Sequence, residues 1–154
     1  MSVVNFYCVN DDINNFIYMF LNKLIERDES NIMLYSNSID KIKKFDESLW
    51  MLGNDCDFLP HLIYNEKCDN NVKLLLTNEL LNVNKSDFLI LSSFVDNIEF
   101  LNSFKKIFYI YTKLSNLSYE QAKKSFEFYK QLKYDVNINI KNCVTGKWVV
   151  DDCI

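Results

Sequence analysis

Short apolar runs alternate along this chain with stretches whose apolar residues recur at helical spacing. That alternation restricts the possible folds more than any other feature. Val3-Val4-Asn5-Phe6-Tyr7-Cys8-Val9, Ile32-Met33-Leu34-Tyr35, Val72-Lys73-Leu74-Leu75-Leu76, Phe88-Leu89-Ile90-Leu91 and Ile107-Phe108-Tyr109-Ile110-Tyr111 read as buried strands. Between the first two, Ile13, Phe16, Ile17, Phe20, Leu21 and Leu24 form one helical stripe, with Asp11 or Asp12 placed to cap it. Ile39, Ile42, Phe45 and Leu49 form a second stripe behind Ser36, Asn37 or Ser38, and Ile98, Leu101 and Phe104 suggest a short helix. Ser118 and Gln121 have the spacing of a capping box for a last helix that should run to about Tyr134. Strands without polar alternation, separated by amphipathic helices, predict an α/β fold. The expected architecture is three-layered and Rossmann-like, with a mostly parallel sheet of about five strands flanked by helices.

The chain has 154 residues, enough for one full core, and shows no repeat, linker or low-complexity tract. A single domain over 1–154 is expected, with 149–154 as a flexible tail. The start, Met1-Ser2-Val3-Val4-Asn5, lacks the basic residues of a secretory signal, and no apolar run reaches membrane-spanning length; a cytoplasmic protein is expected. A net charge of −4 disfavours a surface built for indiscriminate nucleic-acid binding. The 5 cysteines are odd in number and never fall as C-x-x-C, and His61 is the only histidine. Reduced thiols and no metal site follow. Gly53 and Gly146 are the only glycines, so neither G-x-G-x-x-G nor a P-loop can be written, and no nucleotide cofactor is expected. With one histidine and acidic residues that read as solvated surface, no catalytic site is expected either.

The stretch Phe45–His61 concentrates the scarce residue types: Trp50, Gly53, Pro60 and His61 all lie within it. Gly53 can end the helix in the left-handed conformation, and Pro60 holds the residue before it extended. Asp46-Glu47-Ser48-Leu49-Trp50, then Phe58-Leu59-Pro60-His61, resembles the signature of the bacterial DNA polymerase III chi subunit. Phe6-Tyr7 is similar to that family's opening. Ala122-Lys123-Lys124-Ser125-Phe126-Glu127-Phe128-Tyr129-Lys130 is similar to its last helix, and Asn137-Ile138-Asn139 to the segment after it.

Lys123, Phe126, Lys130 and Lys133 lie at i, i+3, i+7 and i+10, on one face of the last helix. Gln121, Ser125, Phe128 and Leu132 lie on another that would pack on the sheet. By themselves the lysines read as a solvated face with Phe126 at the core's margin. The resemblance implies more. In that family this helix and the Trp-to-Phe window form a pocket for the acidic C-terminal tail of single-stranded DNA-binding protein, which ends in a Phe with its free carboxylate. Carried onto this chain, the pocket would comprise Trp50, Phe58, Lys123, Phe126 and Lys130, with Gly53, Pro60 and His61 as a structural turn and Lys130, Lys133 or Lys113 near the tail's acidic part. Lys123 and Phe126 stand where the family often has Arg and Tyr, which costs a bidentate fork and a hydroxyl.

The resemblance therefore implies a non-catalytic accessory subunit of the replicative polymerase. It would link single-stranded DNA-binding protein to the clamp loader through a psi subunit or another clamp-loader component, touching DNA only indirectly or weakly. The alternatives are a stand-alone single-stranded nucleic-acid-binding module, with aromatics stacking bases beside lysines, and a small nucleotide-dependent enzyme.

Overall fold

The computed structural model describes residues 2–10, 12–27, 30–52, 60–67, 72–141 and 147–151. In chain order its elements are β1 (Val3–Cys8), α1 (Ile13–Arg27), β2 (Ile32–Tyr35), α2 (Ile39–Leu52), β3 (His61–Ile63) and β4 (Leu74–Thr77). There follow β5 (Phe88–Leu91), α3 (Ile98–Asn102), β6 (Lys106–Tyr111), α4 (Asn116–Gln131), β7 (Asp135–Lys141) and β8 (Trp148–Asp151). All eight strands join one sheet in the order β3-β4-β2-β5-β6-β1-β7-β8, and only β8 runs antiparallel to its neighbour.

Each central strand is apolar throughout because each face of the sheet carries its own core. Phe6, Met33, Leu75, Leu89, Leu91, Tyr109 and Tyr111 point to one face, against Phe100 and Leu101 of α3 and Ala122 and Tyr129 of α4. Ile32, Leu34, Leu74, Leu76, Ile90, Phe108 and Ile110 point to the other, against Ile17 and Leu21 of α1 and Ile42, Phe45 and Leu49 of α2. Three layers result, as the alternation predicts. Among the described residues no helix is long and apolar enough to cross a membrane.

The sheet has three strands more than the expected five or so. β3 is short and half-buried at the edge, so it has no long apolar run. β7 reads DVNINIK: Val136, Ile138 and Ile140 reach the α3–α4 core while Asn137 and Asn139 alternate with them, a period of two rather than a continuous run. Asn139 Nδ2 donates to the Phe6 carbonyl (3.2 Å), so this polar face is bonded to its neighbour strand. β8 occupies part of the expected tail: residues 149–151 extend the sheet from Trp148, whose ring lies 5.4 Å from Tyr7 and 5.6 Å from Phe16 of α1. The indole covers the end of α1 and gives the strand a reason to dock. Cys8 is buried and unbonded, and the other four cysteines lie outside the described residues.

The caps fall partly as expected. Asp12 accepts from the Asn14 amide (2.9 Å) at α1, Ser38 from Lys41 (3.4 Å) at α2, and Asn97 from Phe100 (2.9 Å) at α3. The last helix differs at both ends. It begins three residues early, with Ser115 as N-cap. The expected capping pair bonds outward instead: Ser118 Oγ accepts from the Thr112 amide (3.1 Å) and Gln121 Oε1 from the Phe94 amide (3.0 Å), so both tie the helix to strand ends. At the other end the helix stops at Gln131. Lys133 takes φ 60°, its amide donates to the Lys130 carbonyl, and the Tyr134 amide reaches back to Tyr129 (3.1 Å). A lysine thus fills the left-handed position of a Schellman closure that usually takes glycine.

Tyr109 and Tyr129 are fully enclosed in the α3–α4 core. Burial pushes the Tyr109 phenol up to about 12 and raises Tyr129 as well, the neighbouring Ser125 hydroxyl offsetting a little of each. A phenol whose folded-state value lies above its unfolded one contributes stability below pH 10 that is lost as pH rises through the folded value. Unfolding free energy should therefore fall by about 2 kcal/mol between pH 10 and pH 12 for Tyr109 alone. Urea titrations across that range check this, with phenolate absorbance appearing together with unfolding. A flat stability profile would contradict it.

Candidate partner-binding face

Helix α4 lies against β6 and β7 with Ala122, Ser125 and Tyr129 turned fully inward. Residues one step either side of that line become flanks. Phe128 takes one flank, edge-on to Phe94 at 5.4 Å, with Lys124 Nζ 4.2 Å from the Phe94 ring. The expected packing face of Gln121, Ser125, Phe128 and Leu132 is thus centred one residue off. Ser125 is buried, and the others border the core.

The opposite flank carries the predicted basic and aromatic residues. Phe126 is half-buried, edge-on to Phe6 at 5.9 Å, so its ring is seated on the sheet and not free to rotate away. Lys130 Nζ stands 5.5 Å from the Phe126 ring. One turn toward the N-terminus, Lys123 Nζ sits 4.6 Å from the Tyr119 ring and 2.7 Å from Glu120 Oε1. Lys113, just before the helix, holds its Nζ 5.4 Å from the same ring, and Tyr119 stacks on Tyr111 at 6.4 Å. The hydrogen bond that the exposed Lys123 ammonium donates to the Glu120 carboxylate holds it above its ordinary value. This flank is therefore a ladder of cations over rings whose aromatic parts are fixed by the core. Lys133 falls beyond the helix end and does not continue it.

Tyr119 was not among the expected pocket residues, although its i,i+4 relation to Lys123 marks the pair in the sequence. Its hydroxyl-bearing ring lies within reach of both Lys113 and Lys123.

Trp50 is elsewhere. It belongs to α2, which packs on the other face of the sheet and near the β3 edge, so the sheet itself separates it from Lys123, Phe126 and Lys130. Its ring is 56% exposed and lies 5.0 Å from the His61 ring. His61 is the first residue of β3 rather than part of a loop. Its side chain is 1% exposed, with Nε2 3.0 Å from Asp46 Oδ1. Pro60 is exposed and immediately precedes that strand. Gly53 and Phe58 lie outside the described residues. The structure thus gathers Lys123, Phe126 and Lys130 into one face and holds Trp50 with His61 and Asp46 at another.

A family model described as DNA polymerase III chi subunit, HolC, matches residues 1–137, which takes in β1 through the first part of β7. The curated proteins contain no match to the chain.

Proposed function

This chain belongs to the DNA polymerase III chi subunit family, a replication accessory subunit, and from that premise we propose that it is a non-catalytic adaptor. It would bind the acidic, Phe-terminated tail of single-stranded DNA-binding protein and link it to the clamp loader. The observation that carries the reading is the α4 flank. Lys113, Lys123 and Lys130 stand beside the rings of Tyr119 and Phe126 on one continuous face. Lys123 is suited to meet the tail's terminal carboxylate, since an ammonium beside a carboxylate makes a charge-assisted hydrogen bond. Phe126 offers a fixed apolar edge for the terminal ring, and Lys113 and Lys130 supply positive charge for the acidic residues upstream.

An adaptor also needs a second surface turned away from the first. Trp50 and the 84% exposed Met51 provide one at the end of α2, on the opposite face of the sheet. We assign the psi subunit or another clamp-loader component to that side. The scaffold between them is one sheet, so the two partners would be held at a fixed separation, and DNA would be engaged only through them.

The expected result is saturable fluorescence anisotropy with a peptide copying the tail, and affinity at least about tenfold lower when the peptide's C-terminal carboxylate is amidated. Equal affinity for the two peptides would remove the Lys123 assignment. A gel shift by the protein with a single-stranded oligonucleotide alone, as strong as the tail interaction, would favour the stand-alone nucleic-acid-binding reading.

A further inference from the structure

A cavity of about 500 Å³ opens at the carboxyl ends of β2 and β5, away from the α4 flank and from Trp50. Its position follows from the topology. The chain leaves β2 into α2 on one face of the sheet, toward β4 and β3. It leaves β5 into α3 on the other face, toward β6. Connections that depart in opposite directions leave a crevice between the strand ends, and open parallel sheets bind ligands at such points. Chain segments far apart in sequence meet there: the starts of α1, α2 and α4 and the residues just after β2 and β5.

The lining is divided. Ile17, Leu34, Ile42, Phe45 and Ile90 make an apolar floor. Ser36, Asn37, Ser92, Ser93, Ser115 and Ser118 make a rim dense in hydrogen-bonding groups, and Lys41 and Lys44 bring two positive charges. No aspartate or glutamate is among the described lining residues. Asp12, beside the wall residue Asn14, gives a carboxylate oxygen to the Asn14 amide at the start of α1. Independently of the helix ends, Ser93 is 7% exposed, and its buried hydroxyl makes no hydrogen bond within the described residues. A buried hydroxyl in a pocket wall without a partner is an unfilled demand.

We propose that this cavity binds a small phosphate-bearing organic anion of mononucleotide size, a nucleoside 5′-monophosphate. The volume is that of a small-ligand site. The apolar floor suits a base. The many hydroxyl and amide groups suit a ribose and the base edges better than an acyl chain, which has few groups to satisfy them. The phosphate belongs at the start of α2, where Lys41, Ser36 and Asn37 line the cavity and combine a cation, side-chain donors and the positive end of a helix; Asp40, in the same first turn, is exposed and is not among the lining residues. It does not belong at the start of α1, whose turn is acidic. The turn into α2 has no glycine, so the phosphate is held by side chains rather than nested against backbone.

The test is isothermal titration of the full chain with the ribo- and deoxyribonucleoside 5′-monophosphates, the matching nucleosides and orthophosphate. At least one monophosphate should bind with Kd below about 1 mM, with its nucleoside and orthophosphate at least about tenfold weaker. Lys41→Glu, a change at an exposed position, should weaken that binding at least about tenfold. It should leave the melting temperature and the tail-peptide affinity unchanged. Amide shifts on binding should centre on Phe45, Ser92 and Ser93. The proposal is overturned if no monophosphate saturates, if orthophosphate binds as tightly, if Lys41→Glu has no effect, or if the shifts fall on the Lys123 flank.

Discussion

Replacing Lys123 by Glu should reduce affinity for the tail peptide at least about tenfold at low salt, a loss of about 1.4 kcal/mol or more. Lys123 is the cation best placed to receive a carboxylate, with Nζ over the Tyr119 ring and one contact, Glu120, already in place. Glu at this position would put two carboxylates one turn apart and leave nothing to receive a third. The same contact limits the wild type, because Glu120 competes with any incoming anion. Glu120→Gln should therefore strengthen binding, and Lys123→Arg should preserve it, since the guanidinium can hold Glu120 and the tail together. Raising the salt concentration should weaken the wild-type complex progressively and flatten the difference between the variants. Unchanged anisotropy for Lys123→Glu at low salt would place the tail elsewhere.

The largest stability effect is expected from Phe6→Ala, a cost of about 3–5 kcal/mol in urea-induced unfolding. Phe6 is fully buried, and its ring meets Tyr109 at 4.9 Å, Phe126 at 5.9 Å, Tyr129 at 6.1 Å and Tyr111 at 6.3 Å. Removing it leaves a cavity that four rigid rings cannot close without shifting α4. Phe126 loses its seat at the same time, so tail affinity should fall together with stability. Phe126→Ala separates the two effects: half-buried at the edge of the core, it should cost less stability than Phe6→Ala while weakening the peptide at least as much. A loss below about 1 kcal/mol for Phe6→Ala would mean that the aromatic cluster relaxes far more freely than its packing implies.

What could be read in the sequence divides along physical lines. Strands β2, β5 and β6 are continuous apolar runs because both their faces are buried, and such runs need no context to be recognised. β7 was missed because one of its faces carries asparagines, which interrupt a run while satisfying a strand's period of two. Ser118 and Gln121 have the right spacing for a local cap, but their side chains are taken by the Thr112 and Phe94 amides, bonds that only the folded sheet brings within reach. The α4 flank was legible because its residues share one helix. Trp50 was grouped with it through resemblance, and no spacing in the chain could reveal that the sheet would stand between them. The cavity after β2 and β5 was not legible at all. Its walls come from separate segments, and no glycine-rich turn marks it in the sequence.

The central position of β1 has a consequence for synthesis. Val3 lies beside Lys106 on one side and Asp135 on the other, so this strand finds no sheet partner until β6 has been translated and lacks its second until β7 follows. β2 can meet β4 and β5 much sooner. The nascent chain therefore carries Val3–Cys8 without strand neighbours while the residues up to β6 are made, and closes the middle of its sheet only after β6 and β7 emerge. A pause in translation before β6 is complete would prolong the exposure of that strand, and such intermediates are those on which a chaperone would be expected to act.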